Sequence, residues 1–445
     1  MPEWCVGKDI VLRWQTQRVA MGNATCRDGK HNVLRFYEYL TIMKRTLFIL
    51  LLAAVAMAGK AQGWVSVQAV GVLPGNTAEV NRQHLQAAID KMSPVGGVLY
   101  VEPTQGGYPM QGGLVLKRNV TLLGAHGPTG RGTALPDRSG PTGSLFVITD
   151  REQPFLTVES ATQVRGIQFY YPEQTWQDAS RIIPYPPTIR VAPDQRVLGV
   201  TLSCLSFYGE YMAMDFRSKA PHYCEQTLFE HCYGYPLSGQ FIAINRCYDV
   251  PRILHCHVNP ANMREFGREF KPGVIDAVVR RKAYSYWIDY TDNAVLMDLF
   301  SFGNYGGIYL GNESYGQLTN FNFDCVTAGI HKLGSNWKNR NWQIAQGSII
   351  ANVGERIEDV HPILIEGIGH TSLSNVECFS GPNPALTTLG ASWDYITVRG
   401  DATVFLSGCR MQGYQADTPI HLSEGARLRA VGCFDKDNKL LEITF

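Results

Sequence analysis

The stretch TLFEHCYG at residues 227–234 starts with apolar residues, alternates apolar with polar ones and ends just after a cysteine. Alternation with a period of two residues is typical of a short β-strand. The same phrase recurs along the chain, which therefore predicts many copies of one strand. The copies are LSCLSF (202–207), RILHCHV (252–258), NFNFDC (320–325), SLSNVECF (372–379), VFLSGC (404–409) and LRAVGC (428–433).

The distance between copies sets the size of the repeat. Central apolar residues of successive copies mostly stand 23–25 residues apart, and one step spans 44 residues, from Ile253 to Met297. That long step is either one repeat with an insertion or two repeats. The residues compared are Leu205, Leu228, Ile253, Met297, Phe321, Ile344, Leu373, Phe405 and Leu428.

Each repeat also holds a second strand, and no helical period appears within the repeat. A unit this short cannot bury its apolar face alone, so it must stack on its neighbour. We therefore predict an all-β fold, a right-handed parallel β-helix (a solenoid). A β-propeller, with longer four-stranded units, is the alternative. The second strands are YMAMDF (211–216), QFIAIN (240–245), YWIDY (286–290), GGIYL (306–310), GIHKL (329–333), PILIEG (362–367) and PIHL (419–422).

Cysteines fall at nearly the same place in successive repeats. A free cysteine packs as a small apolar residue, so we expect these side chains to form a ladder inside the solenoid. Nine cysteines follow residue 62, and this odd number excludes a framework that pairs all of them. The ladder residues are Cys232, Cys256, Cys325, Cys378, Cys409 and Cys433.

The segment MKRTLFILLLAAVAMAGKAQG (43–63) has the basic start, apolar run and small residues of a secretory signal peptide. Its apolar run is too short to span a bilayer. We expect residues 1–42 to be an upstream extension outside the fold, and residues 64–445 to form one domain. A cytosolic tail with a membrane anchor is the alternative. The prediction is a secreted or periplasmic protein without a stable membrane anchor.

The charge balance excludes one class of partner. The chain has 40 Lys and Arg against 39 Asp and Glu, and residues 1–62 hold nine and four of these. The expected domain therefore keeps 31 basic and 35 acidic residues. Nucleic-acid binding requires a basic surface, so we expect no nucleic-acid partner.

Residues 85–110 read LQAAIDKMSPVGGVLYVEPTQGGYPM and contain, in order, a short amphipathic helix, Gly-Gly, an apolar strand and a Pro…Gly-Tyr turn. This order resembles the opening of the pectate-lyase-like β-helix superfamily, although Pro74-Gly75-Asn76 replaces that family's Gly-Asp-Gly. The resemblance covers most of residues 64–445. It implies a helix that caps the first coil and protects its edge. A shared fold implies less about activity.

Alternation along the second strands directs one column of side chains outward. The predicted column is Asp215, Ala243, Asp289, Tyr309, His331 and Leu364, of which Asp215, Asp289, His331 and Tyr309 are the predicted catalytic residues. With one coil between them, the backbones of Asp215 and Asp289 would stand about 10 Å apart. Their carboxyl groups would then reach the separation of about 6.5–9.5 Å used by inverting glycosidases. One would protonate the leaving oxygen and the other would activate water.

A long segment, residues 261–287, interrupts the repeats and leads into the strand that carries Asp289. Loops on a rigid scaffold often build the site. Its basic side chains would suit acidic groups on a sugar polymer, and aromatic rings would stack on sugars. The predicted substrate-binding residues are Arg217, Arg280, Lys282, Trp287, Asp292 and Tyr305.

The favoured function is hydrolysis of a complex, acidic polysaccharide or oligosaccharide. Elimination or epimerisation is the enzymatic alternative, with His331 or Tyr309 as base and Arg217 or Lys332 neutralising charge. A non-catalytic carbohydrate-binding or structural solenoid is the alternative from another class.

No cofactor or metal is predicted. The acidic residues are too sparse to support calcium, which stays an alternative. His255 and His257 share a face, but no clear third zinc ligand accompanies them.

Overall fold

The computed structural model describes residues 40–46, 63–125, 142–334, 341–351, 361–380, 394–414 and 416–443. The chain forms two units, residues 1–62 and residues 63–445. In the first unit, residues 40–46 form a helix, α1. The rest of the predicted extension, and residues 47–62 of the predicted signal peptide, lie outside the described residues. No described helix is long and apolar enough to cross a membrane.

In the second unit, the strands form three sheets of parallel strands. The strands are numbered in chain order. Sheet 1 contains β1 (Trp64–Ser66), β2 (Gly97–Val101), β6 (Val120–Gly124), β10 (Thr162–Arg165), β14 (Val200–Ser203), β18 (Leu228–Glu230), β21 (Arg252–Leu254), β24 (Ala294–Met297), β27 (Gly316–Thr319), β30 (Asn341–Ala351), β32 (Gly369–Ser380), β34 (Ala402–Ser407) and β37 (Arg427–Phe434).

Sheet 2 contains β4 (Tyr108–Met110), β8 (Leu145–Ile148), β11 (Gln168–Tyr170), β15 (Ser206–Tyr208), β19 (Tyr233–Gly234), β22 (His257–Val258), β25 (Phe300–Phe302), β28 (Asn322–Val326) and β35 (Arg410–Met411). The long strands β30, β32 and β37 pass from sheet 1 into sheet 2 and join the two.

Sheet 3 contains β5 (Leu114–Leu116), β9 (Leu156–Val158), β12 (Ile189–Val191), β16 (Met214–Arg217), β20 (Ile242–Tyr248), β23 (Tyr284–Thr291), β26 (Gly306–Leu310), β29 (Ala328–Lys332), β31 (Ile363–Glu366), β33 (Ile396–Arg399) and β36 (Ile420–Leu422). Two short strands, β13 (Val197–Leu198) and β17 (Cys224–Glu225), extend it beside β20.

The remaining described elements lie outside these faces. β3 (Thr104–Gln105) pairs with β7 (Thr142–Gly143), and β38 (Leu440–Ile443) pairs with β37; both pairs are antiparallel. The α-helices are α2 (Ala78–Met92) and α3 (Pro272–Val279), and 3₁₀ helices span Gln68–Val70, Ala179–Arg181 and Pro260–Phe266.

The pairing pattern confirms stacked coils of parallel strands. Each strand pairs in parallel with the strand of the same face in the next coil, for example β21 with β24 and β20 with β23. Because β21 pairs directly with β24, the step of 44 residues is one repeat with an insertion, residues 259–283. Parallel pairing also excludes a β-propeller, whose blades are antiparallel.

From β10 onward, a left-handed residue turns each coil from sheet 1 into sheet 2. Cys204, His231 and His255 have φ near +50°, and their N–H groups donate to carbonyls of the next coil. Left-handed backbone is costly for most L-residues, so its regular use here shows that the stack holds each corner in place. Further corners are Gly166, Asp298, Asn320, Gln346, Asn375, Gly408 and Gly432.

The predicted cysteine ladder is confirmed in part. Each of four cysteines directly follows a corner residue and is buried: Cys232, Cys256, Cys409 and Cys433. Cys378 is also buried, but it lies on β32 opposite Met411, in another column. Cys325 is wrong as a ladder residue, because it lies within β28 at a register irregularity, with φ +53°, and is half-buried.

The predicted cap is present as α2. Its N-terminus is capped by Thr77, whose side chain accepts from the N–H of Val80. The apolar side of the helix, which includes Leu85, Ile89 and Met92, is buried, and the helix packs against β2, β4 and β5. It therefore covers the apolar interior that the first coil would otherwise leave open to water.

Candidate functional site

The outer face of sheet 3 gathers the candidate residues in two columns set by strand register. The first column runs Asp215, Ala243, Trp287, Tyr309, His331 and Leu364. The second column contains Arg217, Asn245 and Asp289, and further along the stack Glu366 and Arg399. Asp289 therefore lies on the predicted sheet and face but not in the predicted column, because β23 is shifted by two residues relative to the expected alignment.

Asp215 stands apart from the other predicted catalytic residues. Four strand steps, about 19 Å, separate its backbone from that of His331. Its carboxylate is held by Arg217, whose Nε lies 2.7 Å from Oδ1 and whose Nη2 lies 2.8 Å from Oδ2. The structure does not assemble the expected pair of Asp215 and Asp289, and Arg217 is occupied by this bidentate contact.

Trp287, Tyr305, Tyr309 and His331 come together around Tyr284. The rings of Trp287 and Tyr309 stack with centroids 3.9 Å apart. Tyr284 packs edge-on against Tyr305 at 5.9 Å, and Tyr309 packs edge-on against His331 at 5.2 Å. Four aromatic side chains and a histidine thus form one half-buried surface, which we call the aromatic cluster.

Small residues make room for the aromatic cluster. Tyr284 lies in register with Gly306, and a Cβ at Gly306 would come within 2.2 Å of the Tyr284 ring. Ala328 occupies the next position along the stack. The ring of Tyr284 can therefore extend along the outer face towards His331.

His331 is held at both ring nitrogens. Its Nδ1 lies 3.1 Å from the hydroxyl of Tyr284, and its Nε2 lies 2.8 Å from Oε2 of Glu366. Arg399 Nη1 contacts the other oxygen of Glu366 at 3.4 Å. These contacts fix the plane of the imidazole ring, whereas the ring of an exposed histidine without such contacts is free to rotate. We call Tyr284, His331, Glu366 and Arg399 the His331 contact chain.

Sequence reasoning missed Tyr284, Glu366 and Arg399. Glu366 follows Leu364 by two residues, just as Arg217 follows Asp215, so the same rule of alternation could have placed it on the outer face. Arg399 ends β33, whose sequence ITVR was not recognised as a second strand. Tyr284 lies at the start of β23, beyond the regular alternation.

Asp289 occupies a different environment from Glu366. Within the residues that the structure describes, no cation pairs with its carboxylate, and Oδ1 accepts from the N–H of Tyr290 at 2.9 Å. Burial raises the pKa of Asp289, with a smaller contribution from the charge of Glu313. The side chain favours the protonated form more than an ordinary aspartate does.

Tyr309 lies between the two carboxyl groups. Burial raises the pKa of its phenol to about 12, and the charges of Asp289 and Glu366 act in the same direction. At neutral pH the hydroxyl therefore keeps its proton. This makes Tyr309 a hydrogen-bond donor and argues against its predicted role as a base.

Of the other predicted substrate-binding residues, Tyr305 belongs to the aromatic cluster, whereas Arg280, Lys282 and Asp292 do not. Arg280 and Lys282 are exposed on the loop between α3 and β23, just before Tyr284. Tyr305 is buried and packs on Tyr284, so its ring supports the cluster more than it offers a free face. Asp292 lies in the turn after β23, at the far end of the strand.

The described residues contain no group of three or more His, Cys, Asp or Glu side chains suited to a metal ion. His255 sits on a corner, stacks on His231 at 4.7 Å and contacts Oδ2 of Asp298 at 2.8 Å. His257 stacks on Phe300 with centroids 4.2 Å apart. Both histidines are thus engaged in contacts along the stack.

A substitution at Gly311 tests the position of the Asp289 side chain. A Cβ there would lie 2.4 Å from Oδ1 of Asp289 and 2.8 Å from Cε1 of Tyr309. We expect the Gly311→Ala substitution to push both side chains aside. Turnover of the predicted glycan substrate should then fall at least tenfold, as measured by initial rates. The matched control is Gly273→Ala, because nothing lies within 4 Å of that position. Wild-type rates in Gly311→Ala would contradict this geometry.

Comparison with known proteins supports the fold. No protein-family model and no curated protein matches the chain. DFA-IIIase from Arthrobacter chlorophenolicus A6, solved without its lid, is similar with 12% identity and a TM-score of 0.50, over 83% of this chain and 94% of that chain.

Two further solved structures are similar. A cysteine-to-alanine mutant of the same enzyme in complex with DFA-III has 11% identity and a TM-score of 0.52, over 86% of this chain and 97% of that chain. The A-module of a mannuronan C-5 epimerase from Azotobacter vinelandii has 13% identity and a TM-score of 0.43, over 83% and 98% of the two chains. At such identities the likeness to DFA-IIIase shows a shared fold alone.

Proposed function

We propose that this chain is a secreted carbohydrate-active enzyme with a right-handed parallel β-helix, and that it hydrolyses glycosidic bonds on the outer face of sheet 3. The observation that carries the proposal is a pair of carboxyl groups in contrasting surroundings. Asp289 is desolvated and unpaired among the described residues, whereas Glu366 contacts His331 and Arg399. Such contrast divides acid and base roles between two carboxyl groups.

Asp289 serves as the general acid. Its raised pKa keeps a larger fraction of the side chain protonated, and the proton goes to the leaving glycosidic oxygen. Tyr309, which also keeps its proton, donates a hydrogen bond beside it.

Glu366 serves as the general base that activates water. Arg399 and His331 each contact one oxygen of its carboxylate, and Tyr284 holds the far side of the imidazole. Arg399 and Tyr284 act as positioning residues, because each acts through a neighbour in the His331 contact chain.

The spacing of the two carboxyl groups suits this division. Three strand steps, about 14 Å, separate the backbones of Asp289 and Glu366. The Asp289 carboxyl leans one strand towards Gly311, and Glu366 leans one strand towards His331. The carboxyl groups therefore occupy neighbouring strands, within about 5–10 Å of each other. That range includes the separation of about 6.5–9.5 Å found in inverting glycosidases.

The aromatic cluster supplies a surface for a sugar. Stacked Trp287 and Tyr309 present apolar faces beside polar groups, and this combination suits the faces and hydroxyls of a sugar ring. DFA-IIIase, which shares the fold, is a carbohydrate-active enzyme whose mutant was solved with DFA-III.

Elimination is less well supported because its expected cations are occupied. Arg217 is paired with Asp215. The Lys332 side chain lies inside the coil, where burial lowers its pKa to about 8 and its Nζ donates to the carbonyl of Ile368. An elimination mechanism needs a cation against the enolate-like intermediate, and neither side chain can supply one here.

A glycan screen tests the proposal. The protein is incubated with neutral and acidic polysaccharides, while reducing ends and the ultraviolet absorbance of unsaturated uronates are followed. We expect reducing ends without absorbance, and a loss of about 10²–10⁴-fold in Glu366→Gln, the usual range for general acid–base catalysis. Glu377→Gln is the matched control, since that carboxylate lies on β32 beside Arg410. Rising absorbance would instead show elimination, and an unchanged rate in Glu366→Gln would refute its assigned role.

A further inference from the structure

Six of the nine cysteines in residues 63–445 stand in three pairs, each joining two successive coils. Cys224 on β17 is the direct register partner of Cys247 on β20. Cys232 and Cys256 follow equivalent corners of neighbouring coils, as do Cys409 and Cys433. All nine are free thiols in the structure.

Adjacent register partners satisfy the backbone requirement for a disulfide. Neighbouring parallel strands lie about 4.8 Å apart, within the Cα separation of about 4.4–6.8 Å that a disulfide tolerates. All six side chains are buried: Cys224 and Cys247, Cys232 and Cys256, and Cys409 and Cys433. The two thiols of each pair therefore lie in one column of the solenoid interior, one strand apart.

We propose that these three pairs are sites of disulfide formation, each cross-linking one coil to the next. With oxidised glutathione as oxidant, one thiolate attacks its disulfide and releases one reduced glutathione. The partner thiol then attacks the mixed disulfide and releases the second. Two protein thiols are thus oxidised to one S–S bond while one glutathione disulfide is reduced to two thiols.

The Cys409–Cys433 pair is expected to react first. Its neighbour Cys409 lowers the pKa of the Cys433 thiol, and the thiolate is the attacking species in disulfide exchange. The pair also lies near the last described coil, where local opening needs fewer neighbouring contacts to break.

The remaining cysteines have no cysteine partner in register. Cys204 is a corner residue, Cys378 lies opposite Met411 and Cys325 lies at a register irregularity within β28. We expect these three to stay reduced. The arrangement accounts for an odd number of cysteines without a fully paired framework.

Peptide mapping tests the proposal. The full chain is purified with reductant, exposed to oxidised glutathione in urea below the unfolding transition, then alkylated and digested without reduction. We expect three cross-linked peptide pairs, and we expect the thiols of residues 63–445 to fall from nine to three. The thermal midpoint should rise after oxidation and return on reduction. Six alkylated thiols at the paired positions, or cross-links between other cysteines, would overturn it.

Two variants separate specific pairing from general oxidation. Cys247→Ala should remove one cross-link and leave the other two, while Cys378→Ala should leave all three. Loss of every cross-link in Cys247→Ala, or of any in Cys378→Ala, would show that pairing does not follow the register. Because none of these cysteines belongs to the candidate site, glycan turnover is a separate readout.

Discussion

Asp289→Asn is expected to lower glycan turnover by about 10²–10⁴-fold, the range in which a general acid contributes. The amide keeps the shape of the carboxyl group but cannot transfer its proton. The substitution replaces a half-buried group whose polar contact is the N–H of Tyr290, so the fold should survive. Initial rates on the best substrate of the glycan screen measure the loss, and circular dichroism confirms the fold.

Asp215→Asn is the matched control on the same face. That aspartate is held by Arg217 and lies four strand steps from His331, so turnover should stay within about twofold of wild type. Equal losses in the two variants would contradict the assignment of the acid role to Asp289. The pH dependence of glycan turnover provides a second test. Activity should fall as pH rises through the raised pKa of Asp289, because the acid then loses its proton.

Glu210→Gln is expected to remove a large dependence of stability on pH. Glu210 is fully buried between Phe207, Gly234 and Phe241, and burial raises its pKa from 4.5 to about 8. Between those values the unfolded chain loses the proton while the folded chain keeps it, so the free energy of unfolding falls as pH rises. At about 1.4 kcal/mol per pKa unit, the loss is on the order of 5 kcal/mol.

Urea unfolding at pH 5 and pH 9 measures this effect. The wild type should lose stability at pH 9 relative to pH 5 by several kcal/mol more than Glu210→Gln does. Glu377→Gln provides the control, because its half-exposed side chain stays in contact with water in the folded state. A Glu210→Gln variant with the same pH dependence as wild type would show that the buried carboxyl does not govern it.

The sequence predicted the sheet that carries the site more accurately than the register within it. In the strand YWIDY, alternation allows Tyr286, Ile288 and Tyr290 to point inward. Aligning the second strands by their apolar residues assigned Ile288 and Tyr290 to the interior. The structure buries Tyr286 instead, since its hydroxyl donates to the backbone carbonyls of Cys256 and Phe300. A tyrosine whose polar end is satisfied by the backbone packs as an interior residue, and alternation cannot reveal that.

The His331 contact chain could not be derived from local patterns. Tyr284, His331, Glu366 and Arg399 come from four different coils and meet only because the register stacks them. By contrast, the cap was recognisable from residues 85–110, which are close in sequence. Features built from neighbouring residues were therefore predictable, whereas contacts between distant coils required the exact number of residues in each turn.

The corner between sheets 2 and 3 accepts chain segments of very different length. Residues 259–283 pass through this corner as a 3₁₀ helix and α3, yet Ile242 still pairs with Tyr286 on either side of them. In the next coil, the few residues between Phe302 and Gly306 connect sheet 2 to sheet 3. New loops grafted at this corner would therefore reshape the surroundings of the proposed sugar site, while the scaffold kept the proposed catalytic residues in place.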